Sequence, residues 1–317
     1  MRAAILYGPH DFRIEDRPKP ALKDDMCLIQ VKACGVCTSE IHQWDHKIEG
    51  LEYPRFIGHE VSGKIIEVGK KVKDYKVGDH VAVWTDKEGY ADVLSVHTRY
   101  LSPIVDDIPF EYALSEPLSC TTNAVIKADI QLGDSVALVG TGFMGLILLQ
   151  QIKLRGSSKI ITIDIRDDMC NLAKNLGADV VINPNIENPI NKIKEFTNGN
   201  GVDVSFEVGG TQSTLDLAAS LLRMEGKLVI FGYHPGMRKI TDLGYWNWMA
   251  YDIVNAHFRD LHIILRGARL GMKLLNTKKI DMAPLITHTY PIEKIEDAFI
   301  AAKDKPKGFV KSVIVFK

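Results

Sequence analysis

Residues Ser135–Asp164, SVALVGTGFMGLILLQQIKLRGSSKIITID, constrain this chain more than any other stretch. The run Val136-Ala137-Leu138-Val139 has the length and composition of a strand buried on both faces. Gly140, Gly142 and Gly145 follow in the spacing G-x-G-x-x-G. An apolar helical stretch then runs from Phe143 through Met144 to Ile152, and a β-branched run, Ile160–Ile163, ends at Asp164. In such an order Gly140 permits a tight turn and Gly142 lets backbone N–H groups approach a pyrophosphate. Gly145 lets helix and strand pack closely. The helix N-terminus adds partial positive charge at the same spot. Asp164 lies 164 − 142 = 22 residues past the middle glycine, near the ~20 at which an acid meets ribose hydroxyls. Glycine turns are common, so the spacing alone is weak. Strand, helix, strand and acid in sequence predict a dinucleotide site.

From Gly133 onward strands and helices alternate. Helical Met169–Leu176 leads to strand Asp179–Ile182, helical Asn191–Thr197 to Val202–Glu207, and helical Gln212–Met224 to Lys227–Phe231. Asp252–His257 reads as a sixth strand. This rhythm predicts a doubly wound parallel sheet in an α/β fold. Val208 and Gly232, just past two strand ends, are then expected to meet the cofactor, and Arg166 stands ready to stack on adenine, bind a 2′-phosphate or face solvent. Upstream, β-type runs broken by Gly, Pro and Asp predict an antiparallel, barrel-like domain. Helical stretches are expected at Phe110–Leu114 and from Pro117 to about Asp129, and a long helix at Leu261–Leu275.

Composition narrows the function. At 317 residues the chain fits about two domains. A net charge of −1 gives no electrostatic pull toward nucleic acid or an anionic membrane, and no apolar run approaches a membrane span. Five scattered cysteines fit a reducing compartment, so the expected location is the cytoplasm.

A second constellation lies upstream: Cys37-Thr38-Ser39-Glu40-Ile41-His42, then Gly58-His59-Glu60, then Glu116-Pro117-Leu118. Cysteine, histidine and two carboxylates are the donor types of a catalytic Zn²⁺. Their spacing is long-range, and by composition alone a His beside a Glu is more often a surface pair. The stretch Gly58-His59-Glu60-x-x-Gly63-x5-Gly69-x-x-Val72 resembles the signature of zinc-containing medium-chain alcohol dehydrogenases, and Cys37 with Glu116-Pro117-Leu118 resembles the polyol dehydrogenase branch. His288-Thr289-Tyr290-Pro291-Ile292 looks like the family's closing segment.

The resemblance implies a GroES-like catalytic domain of residues 1–117 and 262–317 and a Rossmann domain of residues 118–261, with the active site in the cleft between. It implies Cys37, His59 and Glu116 as inner ligands of one catalytic Zn²⁺ per chain, with Glu60 able to swing onto the metal. Ser39 would hydrogen-bond the substrate alcohol and His42 would end a proton relay. The interval Thr85–Glu88 holds no cysteine, so the family's four-cysteine structural-zinc lobe is expected to be missing. Thr38-Ser39-Glu40 also departs from the commoner Gly-Ser/Thr-Asp. The leading expectation is an NAD- and zinc-dependent dehydrogenase of a polyol or other secondary alcohol, interconverting it with its ketone as a homodimer or homotetramer. Alternatives are a zinc-free, NADPH-dependent quinone or enone reductase of the same fold and a non-catalytic nucleotide-binding protein.

Overall fold

A computed structural model describes all 317 residues. The chain divides into two compact units, Met1–Ser119 with Leu261–Lys317, and Cys120–Asp260.

The first unit opens with an antiparallel pair, β1 (Arg2–Gly8) and β2 (Asp11–Asp16). Its main sheet is built on β3 (Met26–Gly35), whose sequence MCLIQVKACG is mostly buried. Helix α1 (Thr38–Trp44) follows directly, with Cys37 as N-cap in an extended conformation and the Cys37 N–H donating to the Glu40 carboxylate at 3.3 Å. An acid three residues past the cap is where a helix start accepts such a bond. The chain returns as β4 (Glu60–Val68), antiparallel to β3, and continues through β5 (His80–Trp84), β6 (Val93–His97) and β7 (Leu101–Pro103). The helix expected at Phe110–Leu114 is only a 3-10 turn, Phe110–Tyr112. Helix α2 (Ser115–Ala128) starts two residues before Pro117, which therefore sits third in the helix rather than first.

The second unit carries β8 (Ser135–Val139), α3 (Phe143–Lys153), β9 (Lys159–Ile163), α4 (Asp167–Asn175), β10 (Val180–Ile182), α5 (Pro189–Phe196), β11 (Val202–Glu207), α6 (Gln212–Ser220), β12 (Leu222–Ile230), α7 (Leu243–Trp248) and β13 (Asp252–Asn255). Its six strands lie in the order β10-β9-β8-β11-β12-β13, every pairing parallel. The order reverses beside β8, which is the switch point at which doubly wound sheets bind ligands. Two expectations differ from the structure. The helix read over Gln212–Met224 stops at Ser220, because Leu222 already pairs with Val202 of β11. Parallel pairing outweighs helical propensity there. Helix α7 had no counterpart in the sequence reading.

The last segment returns to the first unit as α8 (Leu261–Asn276), β14 (His288–Pro291), α9 (Ile295–Asp304) and β15 (Ser312–Val315). β15 pairs antiparallel with β3 and parallel with β14, giving the order β14-β15-β3-β4-β5-β7 with β6 also on β3. Ile29, Val61, Val81, Phe299 and Ile314 belong to one buried cluster around these strands. No helix is long and apolar enough to cross a membrane.

Candidate metal centre and cofactor site

In the first unit Cys37, His59 and Glu60 bring their ligand atoms within 4.8 Å of one another. Each arrives by a different route. Cys37 stands at the start of α1, His59 precedes β4, and Glu60 opens it. Gly58 makes that approach possible: its φ of +104° is the left-handed region, and a Cβ there would meet Tyr90 N at 2.6 Å. Glu116, expected as an inner ligand, stands half-buried in the first turn of α2 and is not among the three residues whose ligand atoms converge; Glu60, expected only to swing onto the metal, is.

The surroundings fix the orientation of these groups. Glu40 is buried and lies 2.7 Å from His59 Nδ1. It also accepts the Tyr90 hydroxyl at 2.6 Å and the Gly58 N–H at 2.7 Å. With Nδ1 engaged, the imidazole presents Nε2 as its coordinating atom, the arrangement in which a carboxylate orients a ligating histidine. Burial raises the Glu40 carboxyl, but His59 and the hydroxyl and N–H donors outweigh it, and the net shift is downward. Burial likewise pushes His59 down, while the charges of Glu40 and Cys37 lift it well above its ordinary value. A divalent ion bound here would compete with the His59 proton for the same place.

Glu60 has a cation already. Lys311, also buried, donates to Glu60 Oε1 at 2.7 Å and lies 2.7 Å from Oε2. Burial lowers the Lys311 ammonium, and Glu60 and Cys37 more than restore it. The Ser39 hydroxyl donates to Cys37 Sγ at 3.3 Å, and His42, half-buried in the same helix, is pushed down by burial and then by Lys47. Cys34, the first member of the Cys34-x-x-Cys37 pair, is fully buried and its thiol is driven well up, which keeps it protonated. Thiolate, imidazole and carboxylate in this arrangement fit Zn²⁺. Lining a cavity of about 370 Å³ are Glu40, Gln43, Arg55, His59 and Lys87. Trp44 is a core residue, 1% exposed, its Nε1–H donating to Glu296.

In the second unit Gly140 has φ of +103°, and a Cβ on Gly145 would meet the Gly140 carbonyl at 2.2 Å. A Cβ on Gly142 would meet nothing within 4 Å, so the space above the α3 N-terminus is open for a phosphate. Phe143 and Met144 start that helix. Asp164 accepts the Thr141 N–H at 2.7 Å and the Arg166 N–H at 3.0 Å, which holds its carboxylate beside the glycine turn. Arg166 pairs with Asp168 at 2.7 Å. Val208 follows β11 and donates its N–H to Val139. Gly232 donates its N–H to the Glu207 carbonyl, and its own carbonyl lies 3.2 Å from His257 Nε2. Both of its backbone polar groups are thus engaged, and Glu207 and Gly210 fill the space a Cβ would take.

Sequence reasoning missed Glu40 as the partner of His59, although its place three past a helix cap was a usable signal. Tyr90 and Lys311 carried no signal at all.

Residues 144–271 match the family described as zinc-binding dehydrogenase, and residues 23–100 match the alcohol dehydrogenase GroES-like domain. The chain is 29% identical to a sorbitol dehydrogenase of Bacillus subtilis, across 94% of this chain and 92% of that protein. It is 28% identical to an (R,R)-butanediol dehydrogenase of Neisseria gonorrhoeae, across 93% of each. Among solved structures, an oxidoreductase/dehydrogenase of unknown specificity from Escherichia coli superposes with a TM-score of 0.89 at 25% identity, covering 100% of this chain and 99% of that one.

Proposed function

The chain belongs to the zinc-binding, medium-chain alcohol dehydrogenase family, and on that premise we propose that it transfers hydride between a secondary alcohol of the polyol type and NAD, using one Zn²⁺ per chain. The observation that carries this reading is the convergence of Cys37, His59 and Glu60, with Glu40 holding His59 by the nitrogen a metal does not need. Cys37 and His59 would hold the ion, with Glu116, which the resemblance supplies and which stands outside the converging group, as the third inner ligand. Glu60 is the exchangeable carboxylate, since Lys311 competes for it. Bound there, Zn²⁺ supplies Lewis acidity that makes an alcohol hydroxyl acidic near neutral pH.

The chain's own residues move the proton. Ser39 sits beside the Cys37 sulfur and receives the alcohol's proton while passing on its own. His42, whose imidazole burial keeps neutral to lower pH than usual, accepts that proton and releases it to solvent. On the cofactor side Gly140, Gly142, Phe143, Met144 and Gly145 cradle the pyrophosphate, and Asp164 receives the ribose hydroxyls. Arg166, neutralised by Asp168, offers little to a 2′-phosphate, which favours NAD over NADP. Val208 and Gly232 border the nicotinamide half. The cavity beside His59, with Gln43, Arg55, Asp86 and Lys87 in its lining, is polar in the way a polyhydroxylated substrate requires. A zinc-free reductase would have no use for the three converging ligands. We place the enzyme in the cytoplasm as a homodimer or homotetramer; the odd, scattered set of five cysteines supports the compartment.

Metal analysis and a screen of NAD⁺ reduction across polyols and amino alcohols test the reading. About one zinc per chain and NADH formation with at least one secondary alcohol are expected. Close to two zinc per chain surviving Cys37→Ala, or no NADH with any alcohol, overturns it.

A further inference from the structure

The second unit holds a buried carboxylate that the cofactor reading leaves unused. Glu207 closes β11 and is 0% exposed. Its Oε1 accepts the Gly210 N–H and the Thr214 hydroxyl, both at 2.6 Å, and its Oε2 lies 2.6 Å from His234 Nε2. Its backbone carbonyl accepts the N–H groups of Phe231 and Gly232 at 3.0 and 2.9 Å. His234 thus reaches from the segment after β12 to the end of β11.

The two segments touch closely. A Cβ on Gly232 would meet Glu207 Oε2 and Gly210 N, each at 2.6 Å. Arg238 donates to the Gly210 carbonyl at 2.8 Å, and His257, past β13, lies 3.2 Å from the Gly232 carbonyl. Three consecutive strand ends are knit into one layer, with Glu207 at its centre. His234 Nδ1 is buried without a partner, which assigns the ring proton to Nε2, facing the carboxylate. His234 therefore donates a charge-assisted hydrogen bond, the stronger kind.

A doubly wound sheet binds a dinucleotide as two mononucleotides, one on each half. Gly140–Gly145 and Asp164 belong to the β8–β10 half, which leaves β11–β13 for the other mononucleotide. We propose that His234 is a positioning residue: through Glu207 it fixes the backbone at Val208–Gly210 and Gly232–His234 on which the nicotinamide half of the cofactor seats. The proposal rests on the dinucleotide reading above. A pair that only stabilised the fold would treat every cofactor fragment alike. This one discriminates by half.

The test measures the dissociation constants of NAD⁺ and AMP, the adenosine half alone, for wild type, His234→Phe and His234→Gln. His234→Phe is expected to weaken NAD⁺ about tenfold, the scale of one charge-assisted hydrogen bond, and to leave AMP within about twofold. His234→Gln, whose amide can still donate to Glu207, is expected to recover most of the loss. Equal weakening of both ligands, no weakening of either, or no recovery in His234→Gln overturns the proposal. A wild type that binds neither ligand overturns the cofactor reading itself. If His234→Phe does not fold, His234→Asn, too short to reach Glu207, takes its place under the same criteria.

Discussion

Glu40 in the first unit and Glu207 in the second are built alike and used differently. Each is buried, accepts a backbone N–H and a hydroxyl, and holds a histidine at 2.6–2.7 Å. The two sites part at the other ring nitrogen. That of His59 faces the Cys37 sulfur and the Glu60 carboxylate that Lys311 also holds, a set of metal-donor atoms. That of His234 is enclosed with nothing to bond. A carboxylate–histidine pair is thus a ligand holder or a strut according to what its far nitrogen meets, and its own geometry does not distinguish the two.

The strongest way to break this contrast is to remove each imidazole. His59→Ala is expected to take zinc from about one per chain to near zero and to lower alcohol oxidation by at least ~10³, the loss of several kcal/mol of Lewis-acid stabilisation. His234→Ala should keep its zinc. Metal analysis of the two proteins side by side decides, and a zinc-loaded His59→Ala would erase the distinction. A smaller step neutralises the carboxylates instead. Glu40→Gln should weaken zinc binding roughly 10–100-fold, the usual cost of losing a partner behind a ligand. Glu207→Gln should leave zinc affinity unchanged in a chelator competition.

Much of the second unit was legible because its evidence is contiguous. Gly140 to Asp164 is one uninterrupted stretch, and each residue there acts on a neighbour in sequence or on the next strand. Helix α6 was overrun because its end is set by Val202, a partner 20 residues upstream of Leu222 that propensity cannot see. In the first unit Cys37, His59 and Glu60 could be singled out only through a family resemblance, since nothing local says that they converge. Lys311 was beyond reach. It meets Glu60 across 251 residues of sequence, and a lone lysine before a strand reads as surface. Glu40 was visible but taken for a departure from pattern, when its longer side chain reaches His59, Tyr90 and Gly58 together.

A third carboxylate sharpens the comparison at the adenosine side. Asp164 holds backbone N–H groups and no histidine, so its charge stays available to ribose hydroxyls and repels a 2′-phosphate. NAD⁺ should exceed NADP⁺ in kcat/KM by about tenfold, or 1.4 kcal/mol. Equal efficiencies would mean that Arg166 leaves Asp168 and governs the choice.

The smallest effect comes from a carboxylate among lysines near the surface. Asp45 accepts from Lys303 at 2.8 Å and lies 2.9 Å from Lys47, and these hydrogen bonds bring its pKa from 3.8 to about 2. A depressed carboxylate stabilises the fold above its unfolded pKa, and that contribution fades as the pH falls toward about 2. Asp45→Asn should cost about 1 kcal/mol at neutral pH after screening by water. Urea titrations at falling pH should show the difference closing between pH 3.8 and about 2. A gap that persists in acid would assign the effect to packing.

The split of the first unit across the sequence also sets a timetable. Residues 120–260 contain everything the second unit needs, whereas β3 waits for β15 and Glu60 for Lys311. During synthesis at ~5–20 residues per second, the 317 − 260 = 57 residues that follow the second unit take roughly 3–11 s to add. Through that interval Cys37 and Glu60 stand on an incomplete sheet, with Ala33–Gly35 of β3 lacking the partner that β15 supplies. The cofactor unit can mature first, leaving the zinc-binding half as the step during which chaperones, stray metals and oxidants have access to Cys37.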